Sequence, residues 1–186
     1  EKILEEARLK LEETEGQKLI FISGKSWPAS LIGLVAGKIS DQFNLPVIIV
    51  SETKEKIVGS GRSIAEFDII EAVEEFSDCF LHFGGHPQAC GFTLKNNKEL
   101  ARFKKGIINF ANKALAKSDL IPIIKIDAEI NLNKIDWPLY QEIIKFTPFG
   151  LGNPEPIFLT RNLSLLAHRQ VGQNGKHLKL FLTNPE

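Results

Sequence analysis

Hydrophobic residues follow two different periods along this chain, and the change from one period to the other predicts helices layered on strands. Between Ser30 and Phe43 the apolar residues recur every three or four positions, which is typical of a helix with one buried face. Short apolar runs at 18–23, 46–50 and 56–60 predict buried strands around that helix. The order strand, helix, strand favours an α/β layer.

Two further helices are predicted in the first two thirds of the chain. Asp68 followed by Glu71 is a cap and capping-box pair, which predicts that a helix begins there. A strand at 91–94 separates this helix from a longer one. The inner faces are predicted to hold Ile70, Val73, Phe76 and Phe80 in the first helix, and Leu100, Phe103, Ile107, Phe110 and Ala114 in the second.

A second unit is predicted to begin where the long helix ends, because Pro122 supplies a break and a new strand is predicted from Ile123 to Leu132. We therefore divide the chain into domains 1–117 and 118–186. The second domain is expected to be the first part of a small barrel. Its remaining predicted elements are a helix at 137–146, an ordered Gly- and Pro-rich loop at 147–156, strands near 157–169 and 177–182, and a hairpin turn at 172–175.

Composition does not change the predicted fold, but it limits the function and the location of the protein. Lys and Arg number 23, as do Asp and Glu, so a nucleic-acid role requires basic groups concentrated on one face. Two cysteines suit a reducing cytosol, and no apolar run approaches the roughly 18 residues that span a bilayer, so a soluble cytoplasmic protein is expected. The absence of methionine predicts that the chain begins inside a longer protein, and a strand close to its end suggests a cut there as well.

The segment Gly59-Ser60-Gly61-Arg62-Ser63 has the composition of an anion site. Glycines permit positive φ, so consecutive N–H groups can converge on one oxyanion while Arg62 grips two of its oxygens. A phosphate fits this description best. The alternative is an ordinary turn at the end of a strand, with an exposed arginine. Gly33 and Gly37, one helical turn apart upstream, are expected to allow close packing of a helix on the sheet.

The segment from Phe83 to Phe92 holds three glycines and His86 between apolar runs, which predicts a loop whose backbone a ligand approaches closely. Pro87 biases His86 toward extended backbone, so its ring is expected to project from the loop. Two alternatives stay open: a histidine with a purely structural role, and a zinc site. The residues with zinc-ligand chemistry are Cys79, His82, His86 and Cys90.

Four motifs in this order resemble RecJ-type single-stranded DNA exonucleases. The segment 83–92 is similar to the glycine–histidine signature of the DHH-associated domain, and 59–63 lies at the family's distance upstream. Trp27 resembles the residue that leads a helix in that family, and 148–156 and 172–179 resemble the opening of its oligonucleotide-binding (OB) barrel. The resemblance implies an α/β fold: a mixed-sheet DHH-associated domain with flanking helices, followed by a partial OB-like β-barrel.

The resemblance also implies an activity for the whole enzyme, namely 5′-to-3′ exonuclease action on single-stranded DNA in repair and recombination. Divalent Mn²⁺ or Mg²⁺ would be held by a catalytic DHH domain N-terminal to this piece. The fragment itself is expected to bind no metal and to be inactive, because the sequence has no aspartate cluster able to hold two such cations. The expected partners are single-stranded DNA and other DNA-repair proteins, and the expected oligomeric state is a monomer.

Substrate-binding residues follow from the same resemblance. The 5′-terminal phosphate is expected at Ser60, Gly61 and Arg62, with Ser63 in the same segment, and the cleft is expected to be lined by Gly84, Gly85 and His86. Arg62→Ala is predicted to weaken recognition of that phosphate by about 1.5–3 kcal/mol. Candidates for tracking the DNA are Lys98, Arg102 and Lys105 on the long helix, and His177 and Lys179, with Phe149 and Phe158, in the barrel; a solvated or structural role is the alternative for each.

The chain departs from the family pattern at three positions. Pro28 and Ser30 stand where the family usually has histidine and glycine, so no contact of that histidine is carried over. Cys90 replaces a common alanine, a change expected to preserve packing. Three rival hypotheses remain: a DHH-type phosphodiesterase for short oligonucleotides or cyclic dinucleotides, a zinc-dependent binding module, and a structural scaffold. The segment from Ile123 onward argues against the first.

Overall fold

The structure, a computed structural model, describes residues 2–14, 16–116, 118–150 and 152–184. Glu1, Glu15, Lys117, Leu151 and 185–186 lie outside the described residues. Two units are distinguished, Glu1–Pro122 and Ile123–Glu186. Within the described ranges, every helix is too short or too polar to cross a membrane.

A five-stranded mixed sheet forms the centre of the first unit, which confirms the predicted α/β class. The strand order across the sheet is β1-β2-β3-β5-β4; β1 and β2 run parallel, and the other neighbours are antiparallel. The strands are β1 (Ile20–Lys25), β2 (Val47–Glu52), β3 (Ile57–Arg62), β4 (Phe80–His86) and β5 (Ala89–Leu94).

Helices cover the two faces of this sheet. The helices are α1 (Lys2–Leu9), α2 (Ala29–Phe43), α3 (Ile69–Glu74) and α4 (Asn97–Ala114). On one face α2 packs with α1 over alternate side chains of β1 and β2, such as Ile20 and Val47. On the other face α3 and α4 enclose a larger core around Phe103 and Phe92. The periodicity seen in the sequence therefore identifies the buried faces of α2 and α4, except that the prediction of Ala114 on the inner face of α4 is wrong: Ala111 is buried and Ala114 is exposed.

The predicted helix start at Asp68 is confirmed, because the Asp68 carboxylate accepts hydrogen bonds of 3.1 Å from the N–H groups of Ile70 and Glu71. The predicted extension of this helix to Phe80 is wrong. The helix ends at Glu74, and Phe80 begins β4, where its ring lies 4.9 Å from that of Phe103.

The second unit contains less regular structure than its sequence predicts. Of the strand expected at 123–132, Ala128–Glu129 is paired, in parallel with Phe158–Leu159; the flanking N–H groups of Asp127 and Ile130 donate to the carbonyls of Ile157 and Leu159 at 2.9 Å. The predicted helix and hairpin are confirmed. The elements are β6 (Ala128–Glu129), α5 (Trp137–Ile144), β7 (Phe158–Leu159), β8 (Ser164–Val171) and β9 (His177–Thr183). The described strands do not close a barrel.

Candidate nucleic-acid interface

The glycine–arginine segment is a strand and not a turn. Residues 57–62 pair in continuous register with β2 on one side and with β5 on the other. Gly59 and Gly61 keep negative or extended φ, and the N–H groups of a strand point alternately to its two neighbours. The predicted convergence of N–H groups on one oxyanion is therefore wrong, whereas Arg62, at the end of the strand, keeps its donors.

The register places Ser60 and Arg62 on the α2 face of the sheet. A Cβ added to Gly33 of α2 would lie 3.1 Å from Ser60 Oγ and 3.3 Å from Arg62 Nη2, so both side chains lie directly below this helix. Gly61, between them, points the other way, toward Ile69 of α3. The prediction that Gly33 allows close helix packing is confirmed.

Beyond Arg62 the α2 face of the sheet is uncovered. Directly opposed residues of neighbouring strands share a face, and α2 covers β2 and β3 but leaves β5 and β4 exposed. We call this surface the open face. Its rows carry Arg62, Ala89 and His86; Ser60, Gly91 and Gly84; and Thr93 and His82.

The Arg62 guanidinium forms hydrogen bonds with its own strand. Its Nη1 donates to the Gly61 carbonyl at 2.8 Å and to Ser60 Oγ at 3.4 Å, and Ser60 Oγ in turn donates to the Cys90 carbonyl at 3.3 Å. Arg62 also lines a groove of about 400 Å³ beside Lys38 and Asp41 of α2. These contacts fix the guanidinium near the sheet while leaving other N–H donors for a ligand.

Ser63 follows the end of β3 and stabilises the turn into α3. Its hydroxyl donates to the Phe67 carbonyl at 2.6 Å, and its N–H donates to the Gln88 carbonyl at 3.0 Å. The Ser63 hydroxyl proton is thus committed to the backbone. Of the four residues predicted in this segment, Ser60 and Arg62 present polar side-chain atoms to the α2 face.

The glycine–histidine segment is a hairpin and not a loop. Gly84, Gly85 and His86 end the edge strand β4, and Pro87 and Gln88 alone connect it to β5. The turn is anchored by α3, whose Ile69 N–H donates to the Pro87 carbonyl at 2.9 Å.

The hairpin requires glycine at only one of its two adjacent glycine positions, Gly84 and Gly85. A Cβ on Gly85 would lie 2.2 Å from the Ala89 carbonyl oxygen and 2.7 Å from Cys90 Cα, so the pairing of the strands itself needs glycine there. A Cβ on Gly84 would meet nothing within 4 Å. Internal packing therefore does not require glycine at position 84, where the lack of a side chain keeps the open face flat.

The open face suits an anion. Arg62 is its charged strand residue, His86 and His82 add ring N–H groups, and no carboxylate occupies the strand positions that form it. Because neighbouring strands lie about 4.8 Å apart, Arg62 and His86, two strands from one another, bracket about 10 Å of glycine-floored surface. That width accommodates a phosphate and the sugar attached to it.

The sequence motifs did not indicate His82, Gly91 or Thr93 as part of this surface. All three share the open face because β4 and β5 pair across a two-residue turn, with Thr93 opposite His82 and Gly91 opposite Gly84. Counting alternate residues outward from Pro87 and Gln88 would have found them, once that turn was recognised.

The zinc hypothesis fails on geometry, because His82 and His86 lie on the open face while both cysteines are buried in the core on the other side of the sheet. Cys90 lies under α3 beside Gly61, on the face opposite His86. Cys79 is buried next to α4, where its Sγ lies 3.4 Å from Glu99 Oε2. Burial raises the pKa of each thiol to about 11, and for Cys79 the Glu99 contact adds to this effect. Both are structural thiols of the core.

The basic residues of the long helix lie on the other side of the sheet from the open face. α4 packs through Phe103 against the α3 side, so Lys98, Arg102 and Lys105 are not brought together with Arg62. Arg102 is also engaged with acidic residues: its Nη1 lies 2.7 Å from an Asp78 oxygen and 3.3 Å from a Glu99 oxygen. The Arg102 hydrogen bond lowers the pKa of Asp78.

The barrel candidates are all in the second unit. His177 and Lys179 are exposed on β9, two residues apart and therefore on one face of the strand. A Cβ on Gly172 would lie 2.5 Å from His177 Cδ2, so the imidazole packs over that glycine of the turn. Phe149 and Phe158 are half-buried.

Two domain families match different parts of the chain. The DHHA1 domain matches residues 15–113, and the RecJ OB domain matches residues 126–186. Because the first match spans more than half of the sequence, the chain belongs to the DHHA1 domain family. The combination of the two domains confirms the resemblance to RecJ-type exonucleases.

Individual relatives point the same way. The single-stranded-DNA-specific exonuclease RecJ of Bacillus subtilis (strain 168) is 33% identical over 187 residues, which cover 98% of this chain and 24% of that protein. RecJ of Thermus thermophilus is 28% identical over 189 residues, 96% of this chain and 26% of the relative. The crystal structure of Thermus thermophilus RecJ with Mn²⁺ has a TM-score of 0.78 at 26% identity and covers 97% of this chain and 27% of that one. The chain thus spans about a quarter of the length of these relatives.

Divalent metals belong to the relatives' structures, which were solved with Mn²⁺ and with Mg²⁺. Among the residues described for this chain, no three His, Cys, Asp or Glu side chains lie together in a group that could hold such an ion.

Proposed function

We propose that this chain holds the 5′-terminal phosphate and the following nucleotides of single-stranded DNA for a 5′-to-3′ exonuclease. The observation that carries the proposal is the open face, where Arg62 and Ser60 border a glycine floor that leads to His86. A guanidinium can bind two phosphate oxygens at once, and a floor without side chains lets the sugar–phosphate backbone approach the sheet. Gly61 contributes by packing beneath Arg62, and Gly85 by keeping β4 paired.

The similarity to RecJ supports this substrate class. The relatives are named as single-stranded-DNA-specific exonucleases, and this chain corresponds to about a quarter of their length. In our proposal the hydrolytic step requires Mn²⁺ or Mg²⁺ bound by residues outside this chain, and the chain alone does not cleave DNA. Its contribution is to fix the position of the end phosphate relative to the bond that is cut.

The two domains would divide this work. Residues 1–117 recognise the end of the strand, and 118–186, of which 126–186 match an OB domain, hold the nucleotides that follow. Among the tracking candidates we favour His177 and Lys179, since Lys98, Arg102 and Lys105 lie on the side of the first unit away from the open face.

The test compares two DNA ends on the same chain. Fluorescence anisotropy of the 186-residue chain with 3′-labelled single-stranded DNA of about 15 nucleotides measures Kd for 5′-phosphate and 5′-hydroxyl ends. Arg62→Ala should reduce the preference for the phosphate by about 1.5–3 kcal/mol, which is about tenfold to 150-fold. Arg62→Lys should recover part of it, because an ammonium keeps the charge but not the paired donors.

Arg102→Ala is the matched control, because it removes an arginine from the opposite side of the sheet. It should leave the ratio of the two Kd values unchanged. A wild-type chain with equal affinity for both ends would refute end recognition, and so would a folded Arg62→Ala variant that kept the preference.

A further inference from the structure

The β8–β9 hairpin of the second unit has two faces of different chemistry. Opposed residues in the antiparallel pair share a face, so the register defines both sides. One side carries the pairs Gln170 with Leu178, His168 with Leu180, and Leu165 with Leu182; the other carries Val171 with His177, Arg169 with Lys179, and Ala167 with Phe181. The leucine side is suited to packing, and the second side, which we call the cationic face, is suited to a charged ligand.

Two positive charges oppose each other directly on the cationic face. Arg169 and Lys179 are cross-strand partners, and like charges in this arrangement repel. Within the described part of the chain, the ion pairs are formed by other cations, and neither Arg169 nor Lys179 has a carboxylate in ion-pair contact. An anion placed between the two side chains would relieve the repulsion.

Both cations lie over one partly exposed aromatic ring. The Phe181 ring centroid is 5.8 Å from Arg169 Cζ and 5.3 Å from Lys179 Nζ, and 40% of the residue is exposed. Four leucines on the other side of the hairpin, Leu165, Leu178, Leu180 and Leu182, offer a separate apolar surface for packing. Paired cations beside an aromatic ring match a nucleic acid with unstacked bases, since the cations bind phosphate and the ring stacks on a base.

We propose that the cationic face is a second contact for single-stranded DNA, in which Arg169 and Lys179 bind one phosphodiester and Phe181 stacks against an adjacent base. The inference rests on the proposed function for its ligand class. It adds two residues, Arg169 and Phe181, that no motif singled out. It is independent of Arg62, because it concerns internal nucleotides and not the 5′ end.

Salt dependence tests the phosphate contact. The probe is 3′-labelled oligothymidylate of about 15 nucleotides, titrated with the 186-residue chain at several salt concentrations. Each single-strand phosphate contact adds about 0.7 to the slope of log K against log salt, and the two cations share one phosphodiester. The double variant Arg169→Gln/Lys179→Gln should therefore reduce the slope by about 0.7 and raise Kd about 3- to 10-fold, and each single variant should show part of this loss. Lys176→Gln removes the same charge from the hairpin turn and should change neither quantity.

An abasic oligonucleotide of equal length tests the stacking contact. Phe181→Leu should raise Kd for oligothymidylate about 5- to 10-fold with an unchanged salt slope, and should leave Kd for the abasic strand unchanged. A variant that merely disturbed the hairpin would weaken both probes alike, and that result would overturn the stacking role. Circular dichroism and thermal unfolding check each variant for folding.

The results separate this inference from end recognition. A wild-type chain without any 5′-phosphate preference refutes the Arg62 assignment but leaves the hairpin prediction standing if the slopes change as expected. Arg169→Gln and Lys179→Gln variants that bind with wild-type slope overturn the cationic face. So does an equal loss in Lys176→Gln, because the effect would then reflect net charge alone.

Discussion

Gly33→Ala is the most informative single change in the first unit, because it moves Arg62 without altering it. A Cβ at position 33 would lie 3.3 Å from Arg62 Nη2 and 3.1 Å from Ser60 Oγ. Both distances are shorter than ordinary contacts of a methyl group, so the neighbours must shift by a few tenths of an ångström. The guanidinium is the flexible end of a long side chain, and we expect it to move instead of the helix.

Gly37→Ala is the matched control. Gly37 lies one turn along the same helix and is also half-buried, but its Cβ would contact only Arg62 Cγ, at 3.9 Å. Each substitution gains about 1 kcal/mol in helix propensity. Urea unfolding should therefore show higher stability for Gly37→Ala and a smaller gain for Gly33→Ala, where crowding offsets part of the gain.

The size of the functional effect follows from the phosphate contact. A hydrogen bond to a charged group contributes about 1.5–3 kcal/mol, and a displaced guanidinium should lose about half of it. We expect Gly33→Ala to reduce the preference for 5′-phosphate over 5′-hydroxyl DNA by about 1 kcal/mol, roughly fivefold in the ratio of the Kd values. Anisotropy with the two DNA ends measures this ratio, and Gly37→Ala should keep it at the wild-type value.

Two results would refute this reasoning. If Gly33→Ala keeps the wild-type ratio while Arg62→Ala loses it, the position of the guanidinium is not set by Gly33. If Gly37→Ala loses as much as Gly33→Ala, the effect comes from the helix as a whole and not from the contact with Arg62.

The remaining predictions concern the two glycines of the β4–β5 hairpin, the buried Cys90 thiol and the cap of α3. Gly85→Ala should lower the free energy of unfolding in urea by about 1–3 kcal/mol, whereas Gly84→Ala should change it by less than about 0.5 kcal/mol and yet weaken DNA binding. Burial raises the pKa of Cys90 from 9.0 to about 11, so the stability that its neutral thiol contributes is present below pH 9 and is lost as pH rises through 11. The midpoint of unfolding should therefore fall less steeply with pH over this range in Cys90→Ala than in the wild type. Asp68→Ala should cost about 1 kcal/mol in thermal unfolding.

Long periodic segments were predictable, since their apolar spacing alone selects the buried face. α2 and α4 extend over 15 and 18 residues, enough to repeat the pattern several times. The helix at Asp68 was predictable only at its start, because the cap is a local signal. Its end was not, because Phe76 and Phe80 continue the helical spacing while their rings pack against Phe103 from a turn and a strand.

The glycine segment shows why residue type can be informative and still mislead. Glycine is required at position 59 because a Cβ would lie 2.1 Å from the Phe92 ring, and at 61 because it would lie 2.6 Å from both Cys90 Sγ and the Ile69 side chain. These partners are about 30 residues away along the chain or on another element. A sequence shows that a Cβ is excluded, but not whether the cause is a positive φ or a ring above the strand.

The change from a loop to a strand sets a limit on end recognition. In a loop, several N–H groups could bind one phosphate together with Arg62, whereas in β3 those groups are paired with β2 and β5. One guanidinium then supplies about 1.5–3 kcal/mol, so this chain should discriminate a phosphorylated end by no more than about 150-fold. A rigid strand fixed by Gly61, Ser60 and a helix glycine gives precise placement in return, and placement is what an exonuclease needs in order to present a bond at a constant distance from the end. A measured preference far above this limit would mean that donors other than the Arg62 guanidinium also bind the phosphate.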